Sequence, residues 1–328
     1  MIPNPNWTEA AAAVDAAAEI LIVTHVSPDG DAIGSLLGLG NALIERGKQP
    51  DLAVDGGAPD FLRFLPGADI VMDTLPVKKW DVMISVDASD EGRTGVAGEI
   101  GRANSRLVIN LDHHATNTGF GRIHLVDPAA ASATEVIARW LIEIGQPLTP
   151  AVAQPLLTGL VTDTIGFRTS NVRPETLDLA RLLMAAGASL QTVMARTLNS
   201  KPYKALMLWQ SAMQHIELAD GIISTEIRLA ELNAAGYDEP TDADFVSLLI
   251  QVDEAVIAAV FKETPDSAVE LSLRSKLGYD VGAVALALGG GGHRQAAGAT
   301  VSGTLEDVRQ RVMPLLRAAV EQGRSTNT

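Results

Sequence analysis

Three apolar runs in the first half of this chain, residues 20–26, 82–86 and 107–111, each finish on or beside a histidine or an aspartate. His25 closes the first, Asp87 follows the second, and Asp112, His113 and His114 follow the third. The runs are continuous rather than alternating, as expected of strands buried on both faces. Helical stretches separate them. Residues 8–18 are alanine-rich, and residues 31–46 read as a helix stopped by Gly47, a natural C-terminal cap. Ser132 and Glu135 have the spacing of a capping box opening a helix to about 144, and 150–165 and 175–186 also read as helices. With a short strand at 52–54, the alternation predicts an α/β domain, a parallel sheet with helices on both faces. In such sheets ligands gather at the carboxyl ends of the strands. The histidines and aspartates are therefore expected along one edge.

The pattern changes in the second half. Residues 189–216 read as helices without strands. Strands are then expected at 222–229, 255–262, 268–274 and 297–301, and helices at 281–288 and from 305 onward. This describes a smaller C-terminal α+β domain. The expected organisation is one domain over 1–187, a helical connector over 188–217 and a second domain over 218–328. With 47% apolar and 20% charged residues, the chain can fill two cores.

Composition removes several chemistries. There is no cysteine, which excludes disulfides, thiolate metal sites and cysteine nucleophiles. The formal net charge is −15, which argues against a partner as long as DNA or RNA, because phosphate neutralisation dominates that affinity. The N-terminus lacks the basic start of a signal peptide, and no stretch reaches the ~18 apolar residues of a membrane span. A cytoplasmic protein without membrane partners is expected.

Any one of the aspartates is better explained as loop or cap chemistry, and Asp29-Gly30 by itself reads as a turn. The combination is different. His25, Asp29, Asp31, Asp87, Asp112, His113 and His114 converge from three strand ends. Asp163 lies inside the apolar helix 150–165, where an unpartnered carboxylate is costly. Oxygen and imidazole ligands without sulfur suit Mn²⁺ or Mg²⁺, with Fe²⁺, Co²⁺ or Zn²⁺ as alternatives. A calcium loop beginning at Asp29 fails because Ile33 and Gly40 fall where oxygen ligands are needed. No HExxH string and no Walker sequence occurs.

Read in order, THVSPDGDAIGS, SVDASD, NLDHHATN and GLVTDTIGFRTSN resemble the four motifs of the DHH phosphoesterase superfamily, and LSLRS with GGGGHRQAAG resembles its DHH-associated C-terminal domain. The resemblance implies two divalent metal ions. His25 and Asp29 would hold one, Asp31, His113 and Asp163 the other, and Asp87 would bridge them. Asp112 would orient a histidine, and His114 would face the scissile phosphate. Two such ions activate water and offset charge on a displaced phosphoryl oxygen. Four liganding carboxylates cancel two dications, so a polyanionic substrate needs further donors. The candidates are Arg168, Arg274, Lys276, His293 and Arg294, with Gly291 and Gly292 allowing backbone amides close to a phosphate. The alternative for the glycine run is a flexible loop. Phe167, Tyr279, His124 and His215 read as structural.

Within the superfamily, the two-domain length is similar to the nanoRNase/pAp phosphatase type. That implies a manganese-dependent hydrolase acting on short RNA oligonucleotides and 3′-phosphoadenosine 5′-phosphate (pAp), with these mononucleotides and oligonucleotides as partners, and a homodimer. The second reading is a phosphodiesterase for cyclic di-AMP or pApA. A reading of another class is a nucleotide-sensing module without turnover, which decay of the metal set would favour. A RecJ-like exonuclease fits the acidic charge poorly, and an inorganic pyrophosphatase lacks the glycine-rich second domain.

Overall fold

A computed structural model describes residues 5–326, and the chain divides between Ser200 and Lys201 into two compact units. In the first, helix α1 (Pro5–Ala16) precedes β1 (Ile20–Val23), α2 (Gly30–Glu45), β2 (Asp51–Ala53), β3 (Trp80–Val86), α3 (Gly95–Asn104), β4 (Ser105–Asp112) and β5 (Ile123–Val126). Helices α4 (Ala133–Glu143), α5 (Pro150–Asp163), α6 (Pro174–Ala185) and α7 (Leu190–Arg196) follow. The five strands form one parallel sheet in the order β2-β1-β3-β4-β5. Both faces are covered, which explains the unbroken apolar strands. Ile20, Ile22, Val82 and Ile84 join one core with residues of α2, α4 and α5, while Leu21, Val23 and Met83 join another with Ala97 of α3. Strand β1 stops at Val23, so His25 lies in the loop beyond it rather than closing the strand. Strand β5 and helix α3, which no strong apolar run announces, complete the unit.

Local signals explain several helix ends. Gly47 adopts φ +80° after α2, with Lys48 N–H donating to Leu43 C=O (3.0 Å) and Gly47 N–H to Ile44 C=O (2.9 Å), a Schellman arrangement. The Ser132–Glu135 box is only half formed. Ser132 Oγ accepts from Glu135 N–H (3.0 Å), but the Glu135 carboxylate passes over Ser132 to accept from Ala131 N–H (2.8 Å) and from Thr176 Oγ1 (3.2 Å), beside Arg139. A fully buried carboxylate takes the donors that surround it.

Helices α2 and α5 carry Asp29, Asp31 and Asp163 between them, and they touch through glycines. A Cβ on Gly30 would meet Thr162, one on Gly38 would meet Leu156, and one on Gly34 would lie 2.6 Å from the Pro155 carbonyl oxygen and 2.9 Å from Gly159 N. Pro155 leaves the Ala151 carbonyl without a helical donor, and the Asn41 side-chain amide of α2 supplies one (2.8 Å). Because backbone stands on the far side of Gly34, Gly34→Ala is expected to cost about 3 kcal/mol. Chemical denaturation measures it; a stability equal to wild type would mean the helices can separate without penalty.

The second unit holds α8 (Tyr203–Ala212), β6 (Glu217–Ala219), β7 (Ile222–Ile227), α9 (Leu229–Ala234), α10 (Phe245–Leu249), β8 (Ile257–Glu263), β9 (Ala268–Ser275), α11 (Val281–Ala287), β10 (Gly291–His293), β11 (Ala296–Ser302) and α12 (Leu305–Thr326). Its sheet runs β10-β11-β9-β8-β7-β6, antiparallel except for β7–β8. Leu271 and Leu273 face a core shared with α11 and α12, while Ala258 and Val260 face a second core with α8 and α10. Part of the glycine run is therefore strand β10, not a flexible loop. Among the described residues no helix is long and apolar enough to cross a membrane.

Candidate metal centre

The parallel sheet delivers its polar residues where its strands stop. Asp87 is the first residue after β3, and Asp112 is the last of β4, with His113 and His114 directly after it. His25 lies two residues beyond β1. Asp29 caps α2, its Oδ1 accepting from Asp31 N–H and Ala32 N–H (3.0 Å each), so the cap role expected of an aspartate in this loop is real. Asp31 lies in the first turn of α2, and Asp163 is the last residue of α5.

Three overlapping groups result: His25, Asp29 and Asp87; Asp31, His113 and Asp163; and Asp87, Asp112, His113 and His114, with the donor atoms of each group within 4.8 Å of one another. The two oxygens of Asp87 are shared out. Oδ2 lies 3.6 Å from His25 Nε2, while Oδ1 lies 3.8 Å from His113 Nε2 and 3.7 Å from His114 Nδ1. His113 Nε2 also faces Asp163 Oδ2 at 3.6 Å and Asp31 Oδ2 at 3.9 Å, and His25 Nε2 faces Asp29 Oδ1 at 3.9 Å. These gaps are too long for hydrogen bonds. Ligand atoms about 2.1 Å from a cation stand roughly 3–3.5 Å apart. The spacings are slightly wider than that, and converge on points between the side chains.

The surrounding hydrogen bonds aim the donors. His25 Nδ1–H donates to its neighbour's carbonyl, Val26 C=O (2.9 Å), leaving the Nε2 lone pair toward Asp87 and Asp29. Asp31 is held by the N-terminus of α4, with Oδ2 accepting from Ala133 N–H (2.6 Å) and Oδ1 from Thr134 N–H (3.0 Å). That is where a helix dipole favours negative charge. Asp87 adopts φ +55°, a conformation rare for an aspartate, while its N–H donates to Leu111 C=O (2.9 Å).

Electrostatics test whether the cluster fits cations. Burial first, then repulsion from Asp31, Asp29, Asp163 and Asp112, pushes the Asp87 carboxyl well above its ordinary range. Burial and the charges of Asp31, Asp29 and Asp112 raise Asp163 from 3.8 to about 8. Asp31 is raised too, chiefly by burial. Asp87 Oδ1 is buried without a hydrogen-bond donor. Crowded carboxylates and an orphaned buried oxygen are costly in a bare protein, and divalent cations remove both costs. The donor set fits metal.

A family model described as "DHH family, N-terminal domain" matches residues 19–160, and a DHHA1 domain model matches residues 232–322. The chain is 37% identical to "Bifunctional oligoribonuclease and PAP phosphatase NrnA" of Thermus thermophilus, over 91% of this chain and 89% of that protein. The chain belongs to the DHH family. A further DHH relative, the "Probable bifunctional oligoribonuclease and PAP phosphatase NrnA" of Streptococcus mutans, is 29% identical over 91% of this chain and 95% of its own length. The crystal structure of an exopolyphosphatase-related protein from Bacteroides fragilis shares the fold, with a TM-score of 0.88 at 24% identity, covering 96% of this chain and 97% of that one. The chain is thus a DHH phosphoesterase, of a family that uses divalent metals.

Within this DHH unit Asp112 does a separate job. Burial works to raise its carboxyl. The hydrogen bond from His114 Nδ1–H to Oδ1 (2.7 Å) outweighs that, helped by Asn117 Nδ2–H on Oδ2 (2.6 Å) and His113 N–H on Oδ1 (2.8 Å), and holds it ionised. The same bond raises the His114 imidazole above its usual value, against burial and the charge of Arg93. Asn117 and Asn110 exchange side-chain amide bonds (2.9 and 3.3 Å), and Asn117 also donates to Ala88 C=O (3.2 Å). These two asparagines were visible in NLDHHATN, but nothing in their spacing shows that one carboxylate, one carbonyl and two amides close into a network. The helix N-terminus that holds Asp31 was equally invisible, because it lies a hundred residues along the chain.

The remaining site residues lie elsewhere. Arg168 follows α5, exposed, with Nε–H donating to Ile165 C=O (2.7 Å). In the DHHA1 unit, Ala296 pairs with both Arg274 and His293, so these two flank one residue across three strands. Arg294 pairs with Asp280 (3.2 Å). The Lys276 ammonium donates to the carbonyls of Val252 (2.9 Å) and Asp253 (3.1 Å), a structural use. The glycines divide by cause. A Cβ on Gly290 or Gly292 would strike β11 backbone at 2.1 and 2.5 Å, whereas nothing lies within 4 Å of one on Gly291. The hairpin itself requires Gly290 and Gly292, whereas a side chain at Gly291 would meet open space.

Proposed function

We propose that this chain hydrolyses short RNA oligonucleotides and pAp with two divalent ions, Mn²⁺ in function. The observation that carries the reading is the division of Asp87, one oxygen toward His25 and the other toward His113. One carboxylate placed between two imidazole-carboxylate groups suits a pair of ions better than one. His25 and Asp29 would hold one ion, Asp31, His113 and Asp163 the other, and Asp87 both. When bound, two such ions supply an activated water and positive charge for the phosphoryl oxygens. The oxygen and nitrogen donors favour Mn²⁺.

The chain's own groups do the rest. With Nδ1–H committed to Asp112, His114 offers Nε2 to the phosphate, where it can donate to a phosphoryl oxygen or hand a proton to the departing ester oxygen. Asp112 stays ionised and fixes that ring. In the DHHA1 unit Arg274 and His293 form one patch and would recognise the nucleoside part of the substrate, with Gly291 and Gly292 at its edge. The names carried by the relatives from Thermus thermophilus and Streptococcus mutans support the substrate pair.

The test is a panel with Mn²⁺: pAp, pApA, cyclic di-AMP, pyrophosphate and RNA of increasing length. Turnover should be best on pAp and the shortest RNA and fall beyond about five nucleotides, given the acidic surface. A preference for cyclic di-AMP would favour the second reading, and no turnover of any would favour the sensing module. In the same assays Arg274→Ala and His293→Ala should cost about ten- to a hundred-fold in kcat/KM on pApA. They should spare bis-p-nitrophenyl phosphate, which has no nucleoside to recognise. Equal loss on both substrates would place these residues in the chemical step.

A further inference from the structure

Once four carboxylates neutralise two dications, the cluster has no net attraction for a phosphate, and a cation near the metals must supply it. The segment 88–94 between β3 and α3 is placed to do so. At one end, Ser89 C=O accepts from Thr118 N–H (2.8 Å) and Ala88 C=O from Asn117, in the loop that carries His113 and His114. At the other end, Arg93 C=O accepts from Val26 N–H (2.8 Å), in the loop that carries His25 and Asp29. Arg93 is thereby pinned by its backbone between the two loops that bear the histidines. Its side chain is exposed, and its charge lies near enough to act on the His114 ring.

In a chain of net charge −15, an arginine beside five aspartates would be expected to pair with one. It does not: among the described residues its guanidinium makes no ion pair or hydrogen bond. Asp90, three residues before it, is occupied, taking Arg93's own N–H on Oδ1 (3.1 Å) and the Ser89 hydroxyl on Oδ2 (3.2 Å), and Glu91, two residues before it, forms no ion pair with it. Asp31 and Asp87 are buried against the histidines, and Asp29 is taken up by the cap of α2. An unpaired guanidinium fork on a segment held between the two histidine-bearing loops matches two oxygens of a phosphoryl group.

We propose that Arg93 is a catalytic residue that binds non-bridging oxygens of the reacting phosphoryl group, whichever nucleotide carries it. The inference rests on the phosphoesterase reading but not on the choice of substrate. It differs from the role given to Arg274 in one measurable respect: a contact to the reacting phosphate is needed by every ester, however small.

The experiment uses the full chain loaded with Mn²⁺, as wild type, Arg93→Ala and Arg93→Lys. Metal content, kcat/KM on pApA and on bis-p-nitrophenyl phosphate, and calorimetric binding of inorganic phosphate are measured for each. Arg93→Ala is expected to retain its metal and lose about thirty- to a hundred-fold in kcat/KM on both esters. Phosphate binding should weaken about ten-fold or more. Arg93→Lys should recover part of the loss, and added guanidinium ion should partly rescue Arg93→Ala alone. Activity within about three-fold of wild type with unchanged phosphate affinity would overturn the proposal. So would a loss confined to pApA, or loss of metal from both variants, which would make the role structural. Should the wild type cleave neither ester, the phosphoesterase reading fails, and the phosphate-binding comparison still decides whether Arg93 holds the anion.

Discussion

Asp87→Ala is expected to remove the activity of this protein almost entirely, lowering kcat by about a thousand-fold or more, equivalent to roughly 4 kcal/mol. Asp87 belongs both to the group around His25 and to the group around His113 and His114. Its Oδ2 faces His25 and its Oδ1 faces His113 and His114, so in the proposed two-ion site truncation would take a donor from both ions at once. Metal analysis should show the difference: Asp29→Ala should empty one position, and Asp87→Ala both. Folding should survive, because the variant removes a buried carboxyl whose Oδ1 has no hydrogen-bond donor and which its neighbours repel. The backbone bond to Leu111 C=O remains. Asp87→Asn keeps the shape and loses the charge, and should be nearly as inactive. Turnover near wild type with two ions retained would mean that Asp87 does not bridge.

Stripping the metal should abolish turnover and expose a dependence of stability on pH. In the metal-free protein Asp163 holds its proton up to about 8, against 3.8 for the ordinary side chain, so between those values the folded chain binds more protons than the unfolded one. Stability then falls as pH rises through that window and is greatest at its acid end, as far as this group is concerned. Asp87 and Asp31, raised for the same reason, act in the same direction. Cations remove this dependence, because they bind the deprotonated carboxylates and displace their protons. Thermal melts of stripped and Mn²⁺-loaded protein should therefore diverge, with the gain from metal larger near pH 8 than near pH 6. A stripped protein that grew more stable over that range would contradict the crowding of charge described for the cluster. Chelation without loss of turnover would end the metal reading altogether.

How much of this was legible in the chain follows from the range of the interactions. Strands buried on both faces need continuous apolar residues, and helices packed on them need a 3.6-residue stripe, so the parallel α/β unit could be read locally. The places where strands stop could be read with it, and those places carry His25, Asp87, Asp112, His113 and His114. Gly47 behaved as its sequence position implies, because a left-handed C-terminal cap is decided by the residue itself. Other local signals were overruled. The capping box lost half its pattern when buried Glu135 met nearer donors in Ala131 and Thr176. The glycine run became a strand because pairing with β11 demands close backbone approach, which Gly290 and Gly292 permit. The division of Asp87 between two histidines, the α4 N-terminus that holds Asp31, the Asn110–Asn117 lock on Asp112 and the position of Arg93 were decided only by the tertiary structure. Each depends on distances between atoms far apart in the chain, and a one-dimensional pattern carries the identity of such groups but not the separation that gives them their chemistry.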